Sequence, residues 1–310
     1  MNIMEVNFAV SNVCNADCVF CPRSFVDVPV REQYMPVSLV EKVLSEVTTA
    51  EFQREHPVVH SVLSENGEPF LNPDIIDILR TVRRFGLGIS LFSNFAPVGA
   101  SVAETVLSEK LVDAIHVNID GATEESYGAV KGLPLGIVSQ NLFRFINLRD
   151  KMKSPTRICI HVMPYKTYHD SVVAAYGSGP TKGNGHVPPF DAHAVLAKWG
   201  GLIRDGDSIG VDNTLLWAER YGKERRPGEF KCPNLPRIRH CAYINPVGDW
   251  YACCFDMGND LVVGNVHDQS VLEIANSNIR KLLIERLEAG RFEDVGFPCT
   301  RVDTCQVVQQ

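Results

Sequence analysis

Residues 7–24 read NFAVSNVCNADCVFCPRS. A short apolar run ending at Val10 has the character of a first strand, and Cys14, Cys18 and Cys21 follow it directly in a CxxxCxxC array. A four-iron, four-sulfide cluster wants a thiolate at each iron, so three cysteines in one tight loop leave one iron open to another ligand. Structural zinc normally takes four ligands, and no fourth Cys or His lies within the loop. A disulfide framework fits poorly because three is odd and the spacing short. Buried free thiols would leave the polar Asn15 and Asp17 between them without a reason.

The rest of the chain bounds the setting. Its 310 residues suffice for one large domain with an appendage or two modest domains. A 45% apolar and 22% charged composition is that of a folded globular protein. The formal net charge of -7 argues against a nucleic-acid partner. No apolar run approaches the length of a membrane span, and MNIMEVNF lacks the basic and apolar regions of a signal peptide, so a cytoplasmic protein with no membrane partner is expected. Ten cysteines without a secretion signal point to metal or redox chemistry. Three stand at the front, six follow residue 230, and Cys159 stands alone, a distribution that suggests two metal sites.

From residue 36 to about 165, helical and strand periods alternate, which predicts βα units on a parallel sheet. Helices are expected over 36–49, 74–86, 101–112 and 137–152, and strands over 56–64, 87–94, 113–120 and 157–164. A helix near 191–204 and a strand at 207–213 complete a sixth unit. In the strand at 113–120, Ile115, Val117 and Ile119 alternate with His116, Asn118 and Asp120. In the next, Ile158, Ile160 and Val162 alternate with Cys159, His161 and Met163. A parallel strand covered on both faces would be apolar throughout, so a polar face predicts a lined cavity. A lone Cys or His in a strand can equally be a satisfied core residue. Residues 166–190 are rich in Gly and Pro, as binding loops often are, and carry Lys166, His169, Lys182 and His186 as possible substrate contacts.

With the aromatic Phe20 just before its last cysteine, the array resembles that of the radical S-adenosylmethionine (SAM) superfamily. The resemblance implies a partial (β/α)6 barrel of the TIM type, with its site at the carboxyl ends of the strands. It also implies a 4Fe-4S cluster on Cys14, Cys18 and Cys21, whose open iron is chelated by the methionine part of SAM. Asn66-Gly67-Glu68-Pro69 after the second strand stands where the family has GGEP, its Glu meeting the SAM amino group; Asn66 departs from that pattern, and Gly-Glu-Pro alone is a common turn. Ser93 and Asn94 fall where the family approaches the SAM ribose and carboxylate. Phe20, Asn118, Asp120 and His161 complete the expected SAM-binding set.

After the basic linker GKERRPGEFK, residues 232–268 read as a β-hairpin turning near Gly248, followed by a helix over 270–290 and a terminal PCTRVDTC. This resembles the twitch domain, the short form of the SPASM domain. It implies a second, auxiliary 4Fe-4S cluster on Cys232, Cys253, Cys299 and Cys305, with zinc on the same thiolates as the alternative. Cys241 rivals Cys232, and the spacing of the final pair departs from the commoner pattern. Six late cysteines are too few for two auxiliary clusters, so one is expected. The division is therefore a barrel over 1–225 and an auxiliary-cluster domain over 226–310.

The family resemblance implies reductive cleavage of SAM, fed by a flavodoxin- or ferredoxin-type electron donor, and hydrogen-atom abstraction from an unactivated C–H bond. Twitch enzymes include dehydrogenases of aminocyclitols and epimerases of aminoglycosides. A dehydrogenase needs a base near the carbinol; an epimerase needs a thiol to return hydrogen. Cys254 is the first candidate donor and Cys159 the second, so the expectation is epimerisation at a carbinol of a small polar substrate, with dehydrogenation next. Adjacent strand residues face opposite ways, so Cys254 could instead pack in the hairpin core. The acidic balance and the absence of an extension before the first strand favour a small molecule over a ribosomal peptide. Peptide maturation, or a non-catalytic iron–sulfur or zinc protein, are the other readings.

Overall fold

The computed structural model describes residues 2–18, 21, 23, 33–64, 66–162, 192–211, 232, 234–254, 256, 258–296 and 299. Among the described residues nine strands form one sheet: β1 (Glu5–Phe8), β2 (His60–Leu63), β3 (Gly88–Ser93), β4 (Ala114–Asn118), β5 (Arg157–Val162), β6 (Ser208–Val211), β7 (Cys241–Ile244), β8 (Asp249–Tyr251) and β9 (Val262–Asn265). Their order is β6-β5-β4-β3-β2-β1-β7-β8-β9. β1 to β6 pair in parallel, each with its neighbour in sequence. Parallel strands need crossovers, and here helices supply them.

Those helices are α1 (Val37–Val47), α2 (Ala50–Glu55), α3 (Ile75–Arg84), α4 (Ala100–Ser108), α5 (Glu124–Lys131), α6 (Leu135–Met152) and α7 (Ala192–Gly200). Val40, Leu44, Ile78, Leu79, Val106, Leu142 and Phe145 project from them into a core shared with Val6, Phe8, Ile89, Leu91, Ile115, Val117, Ile158 and Ile160 of the strands. Helices thus cover one face of the sheet. The opposite face, carrying Ser90, Phe92, His116, Asn118, Cys159 and His161, is the inside of a partial barrel. The alternation of β4 and β5 predicted that polar interior. Arg149 on α6 ties β6 to the barrel through paired bonds to Asp207, whose Oδ1 also accepts from the Ile158 amide at 2.8 Å.

Two expectations are corrected. The expected helix over 270–290 is two, α9 (Val271–Ala275) and α10 (Asn278–Glu288), because Ser277 caps the second by accepting from the Arg280 amide. Between β4 and the long α6 lies a helix that the sequence reading did not list, α5, with a Thr123/Ser126 capping box at its start and Gly132, at φ +65°, ending it. β4 ends at Asn118, so Asp120 does not extend the half-exposed polar face but is fully buried. The C-terminal hairpin joins the same sheet. After α8 (Leu235–His240), β7 pairs in parallel with β1, matching Glu5 to Cys241 and Phe8 to Ile244, and β8 and β9 follow antiparallel. The hairpin turn falls where expected, with Gly248 at φ +84°. Phe20, Met163, Lys166, His169, Lys182, His186 and Cys305 lie outside the described residues.

Candidate active site

The cysteine loop leaves the carboxyl end of β1 and rests on the chain leaving β2. The Glu68 amide donates to the Val13 carbonyl at 2.8 Å, and Arg23 donates to the carbonyls of Asn12 and Asn66. Gly67 makes this fit possible: a Cβ there would stand 2.3 Å from the Ser11 carbonyl oxygen and 2.6 Å from that of Val13. The turn therefore needs Gly at this position for closeness of backbones, and Asn66 in place of the first Gly does not disturb it.

Glu68 is buried, and its carboxylate accepts from the Phe70 amide, the Ser93 hydroxyl and the Asn94 amide at 3.1, 2.8 and 2.7 Å. Burial nonetheless pushes its carboxyl up to about 7, the three hydrogen bonds opposing that rise. Asn94 in turn donates to Asn15 Oδ1 at 2.8 Å and lies 4.0 Å from the Cys14 sulfur. Three of the sequence-derived positions, Glu68, Ser93 and Asn94, thus form one hydrogen-bonded group against the first cysteine. Both polar side-chain atoms of Asn66 are buried with no hydrogen-bond partner among the described residues.

Cys14, Cys18 and Cys21 lie near enough to repel one another as thiolates. Burial pushes Cys18 up to about 12 and Cys21 up to about 11, and raises Cys14. Among the described residues no three His, Cys, Asp or Glu side chains are placed to hold a single metal ion. A cluster carries each thiolate on its own iron, so it accepts wider spacing than one zinc does.

Sequence reading missed Lys131. It ends α5, is buried, and pairs with the fully buried Asp120 at 3.0 Å. Its carbonyl accepts from the Asp17 amide at 2.9 Å, fastening the cysteine loop to α5. Burial alone would lower its ammonium pKa, but Asp120 and Cys18 more than reverse that, so it is held above the ordinary lysine range. The signal available was the cap at Thr123 and the αL glycine after it; burial of a lysine has no local signature.

At the far side of β1, Cys253 is buried, and Cys232 and Cys299 pack partly buried against the same core. The Asn234 amide donates to the Cys253 sulfur at 3.5 Å, bringing the Cys232 segment to Cys253. Asp256, three residues on, is fully buried; it accepts from the amides of Asp260 and Leu261, and burial raises its carboxyl to about 7. Cys241 sits elsewhere, its thiol donating to Glu5 Oε1 at 3.4 Å and pushed up to about 12 by burial and by Glu5. Tyr243 and Tyr251 pack around it, with Cys254 against them. Inside the barrel, His116 Nδ1 and His161 Nε2 are 2.9 Å apart, and Phe92 stacks on His116 at 4.1 Å. Asn118 neighbours His161 across the β4–β5 ladder, and Cys159 is buried.

A parallel partial barrel with a cysteine loop and a buried glutamate at its carboxyl-end rim defines a cofactor-dependent enzyme of the βα-barrel type. Residues 8–174 match the Radical SAM superfamily, and residues 232–305 match the SPASM iron-sulfur cluster-binding domain. The chain belongs to the radical SAM superfamily. Membership carries a 4Fe-4S cluster and SAM, and the SPASM match carries auxiliary iron–sulfur binding. The grouped front thiols, the Gly67 cradle and the unpartnered Asn66 amide fit that pair of groups.

Mycofactocin maturase MftC of Mycobacterium tuberculosis (strain CDC 1551 / Oshkosh) is 21% identical over 317 residues, 97% of this chain and 76% of its own. An S-adenosylmethionine-dependent nucleotide dehydratase of Lacinutrix mariniflava is 26% identical over 129 residues, covering 40% of this chain and 25% of its own. Among solved structures, BtrN in complex with AdoMet and 2-DOIA aligns at a TM-score of 0.57 and 13% identity, over 100% of this chain and 97% of BtrN. Streptococcus suis SuiB bound to precursor peptide SuiA aligns at 0.61 and 14%, over 98% and 76%. These likenesses show the fold. No helix among the described residues is long and apolar enough to cross a membrane.

Proposed function

We propose that this radical SAM enzyme takes a hydrogen atom from a carbinol C–H of a small polar molecule of the aminocyclitol or aminoglycoside type and oxidises that carbon to a ketone. The observation that carries the reading is the convergence of the cysteine loop, Glu68, Ser93 and Asn94 at the rim of a barrel whose interior is polar. Bound at Cys14, Cys18 and Cys21, a reduced 4Fe-4S cluster with SAM supplies the species that abstracts hydrogen. The chain's own residues do the rest. Glu68 receives the SAM ammonium, with Phe20, Asn66, Gly67, Ser93, Asn94, Asn118, Asp120 and His161 around the cofactor. Cys232, Cys253, Cys299 and Cys305 hold one auxiliary cluster as acceptor of the second electron, Cys241 being engaged with Glu5. Residues 1–225 carry the chemistry and 226–310 the auxiliary cluster, with a flavodoxin- or ferredoxin-type protein as reductant.

Inversion of the carbon is the second reading. A specific observation favours it: Cys254 lies next to Cys253 and against Tyr243 and Tyr251, whose side of the hairpin continues the barrel interior. Oxidation ranks first because the other thiol, Cys159, is buried while the imidazoles beside it are half-exposed. SuiB binds a precursor peptide and BtrN binds 2-DOIA, so the substrate class is the matter under test.

Anaerobically reconstituted protein, reduced with dithionite, should release 5′-deoxyadenosine from SAM, and Cys18→Ala should abolish that release. With aminocyclitols in heavy water, a ketone without carbon-bound deuterium supports oxidation. An inverted carbinol carrying deuterium, lost in Cys254→Ala, would replace oxidation with inversion. Turnover of peptides alone would overturn the substrate class.

A further inference from the structure

We propose, resting on the oxidation reading, that His116 and His161 act together as the proton acceptor for the substrate hydroxyl. His116 stands on β4 opposite Phe92 of β3 and Cys159 of β5, and His161 stands opposite Asn118. The two ring nitrogens are 2.9 Å apart and the rings are stacked, centroids 5.1 Å apart with planes at 23°. Phe92 lies parallel to His116, at 11°, and fixes its plane. Phe92 is itself 37% exposed, an unusual state for a large apolar ring inside a barrel, and both imidazoles are half-exposed. A stack built only to fill the interior would be covered. This one presents an aromatic edge and two imidazoles to whatever enters.

The position matches the chemistry. Phe92 is two residues before Asn94, which touches Cys14, so His116, opposite Phe92, lies one layer beneath the cysteine loop, and His161, opposite Asn118, lies one layer nearer to it. Among the described inner-face residues of β3, β4 and β5 none is a carboxylate, so the imidazoles are the bases available there. An N···N contact demands that one ring donate and the other accept, so the pair takes up a single proton as a unit; a second would set two N–H groups face to face. The electron count closes. A secondary carbinol becoming a ketone loses one hydrogen atom from carbon, one proton from oxygen and one electron. The proton goes to the histidine pair; SAM bound at the front site would take the hydrogen atom, and an iron–sulfur cluster held by the C-terminal cysteines would accept the electron.

The test uses the reconstituted holoenzyme with SAM and a panel of aminocyclitols headed by 2-deoxystreptamine. His116→Gln should still release 5′-deoxyadenosine and still bind the aminocyclitol by calorimetry, while ketone formed per 5′-deoxyadenosine falls by about a hundredfold, and His161→Gln should lose ketone at least as severely. Added imidazole should restore ketone formation in His161→Gly. In imidazole-labelled protein, a nitrogen–nitrogen scalar coupling across the His116–His161 contact should be seen in the wild type and vanish in either variant. Ketone yield unchanged in both Gln variants, or absence of the coupling, overturns the proposal while oxidation stands. Release of 5′-deoxyadenosine with no ketone from any aminocyclitol overturns oxidation and the role of the pair together.

Discussion

At the scale of single residues, the site is governed by charge taken out of water. Glu68 is buried with its carboxyl raised to about 7, so it is half protonated near neutrality until a cation arrives. A protonated Glu68 cannot pair with the SAM ammonium. SAM affinity of the reconstituted protein should therefore fall as pH drops through about 7, and Glu68→Gln should lower it about tenfold at pH 8 and flatten that dependence. Calorimetric titration across pH checks both. Lys131 and Asp120 form a buried pair beneath the loop. Lys131→Met strands the Asp120 carboxylate and should cost about 3–5 kcal/mol, measured by denaturant unfolding. Asp120→Asn/Lys131→Met together should recover most of that loss. Glu68 was legible because it sits in a recognisable tripeptide. Lys131 was not, since nothing nearby in sequence distinguishes a buried lysine from a solvated one.

At the scale of elements, close approach of backbones decides the site. The strand alternation of β4 and β5 was readable, and so was the hairpin turn at Gly248. The contact between His116 and His161 was not, because it depends on cross-strand register rather than on either strand's pattern. The Gly67 turn is the tightest point, where the chain leaving β2 touches the cysteine loop. Gly67→Ala would force a Cβ into two carbonyl oxygens of that loop. The expected result is about half or less of the wild-type iron after reconstitution, with helical circular dichroism retained. Iron and sulfide assays check it. Gly121 is held just as closely, by the backbone of Tyr127 at the start of α5. α5 was not legible because glycines at 121, 128 and 132 and Pro134 interrupt a helical period there.

At the scale of the whole molecule, the sheet runs through the divide that composition suggests near residue 225. β1 is flanked by β2 on one side and β7 on the other. Pairing between strands more than 200 residues apart leaves no local trace, so the entry of the C-terminal hairpin into the sheet was not legible. Removing residues 232–310 would do more than delete the auxiliary cluster: it would bare the inner strand of the barrel and the core beneath it. The truncated chain should be aggregation-prone and lack a cooperative melt, whereas a full-length Cys253→Ser variant should keep both solubility and a cooperative transition. Light scattering and differential scanning calorimetry separate the two.

The same pairing imposes an order on biosynthesis. A ribosome finishes β1 and the cysteine loop early, yet the strand that covers the far edge of β1 emerges only after some 230 further residues have been made. Through that interval the nascent chain offers an open edge and three unprotected thiols. One edge of the barrel therefore waits on the end of synthesis, and the length of translation itself sets how long the newborn polypeptide depends on chaperones.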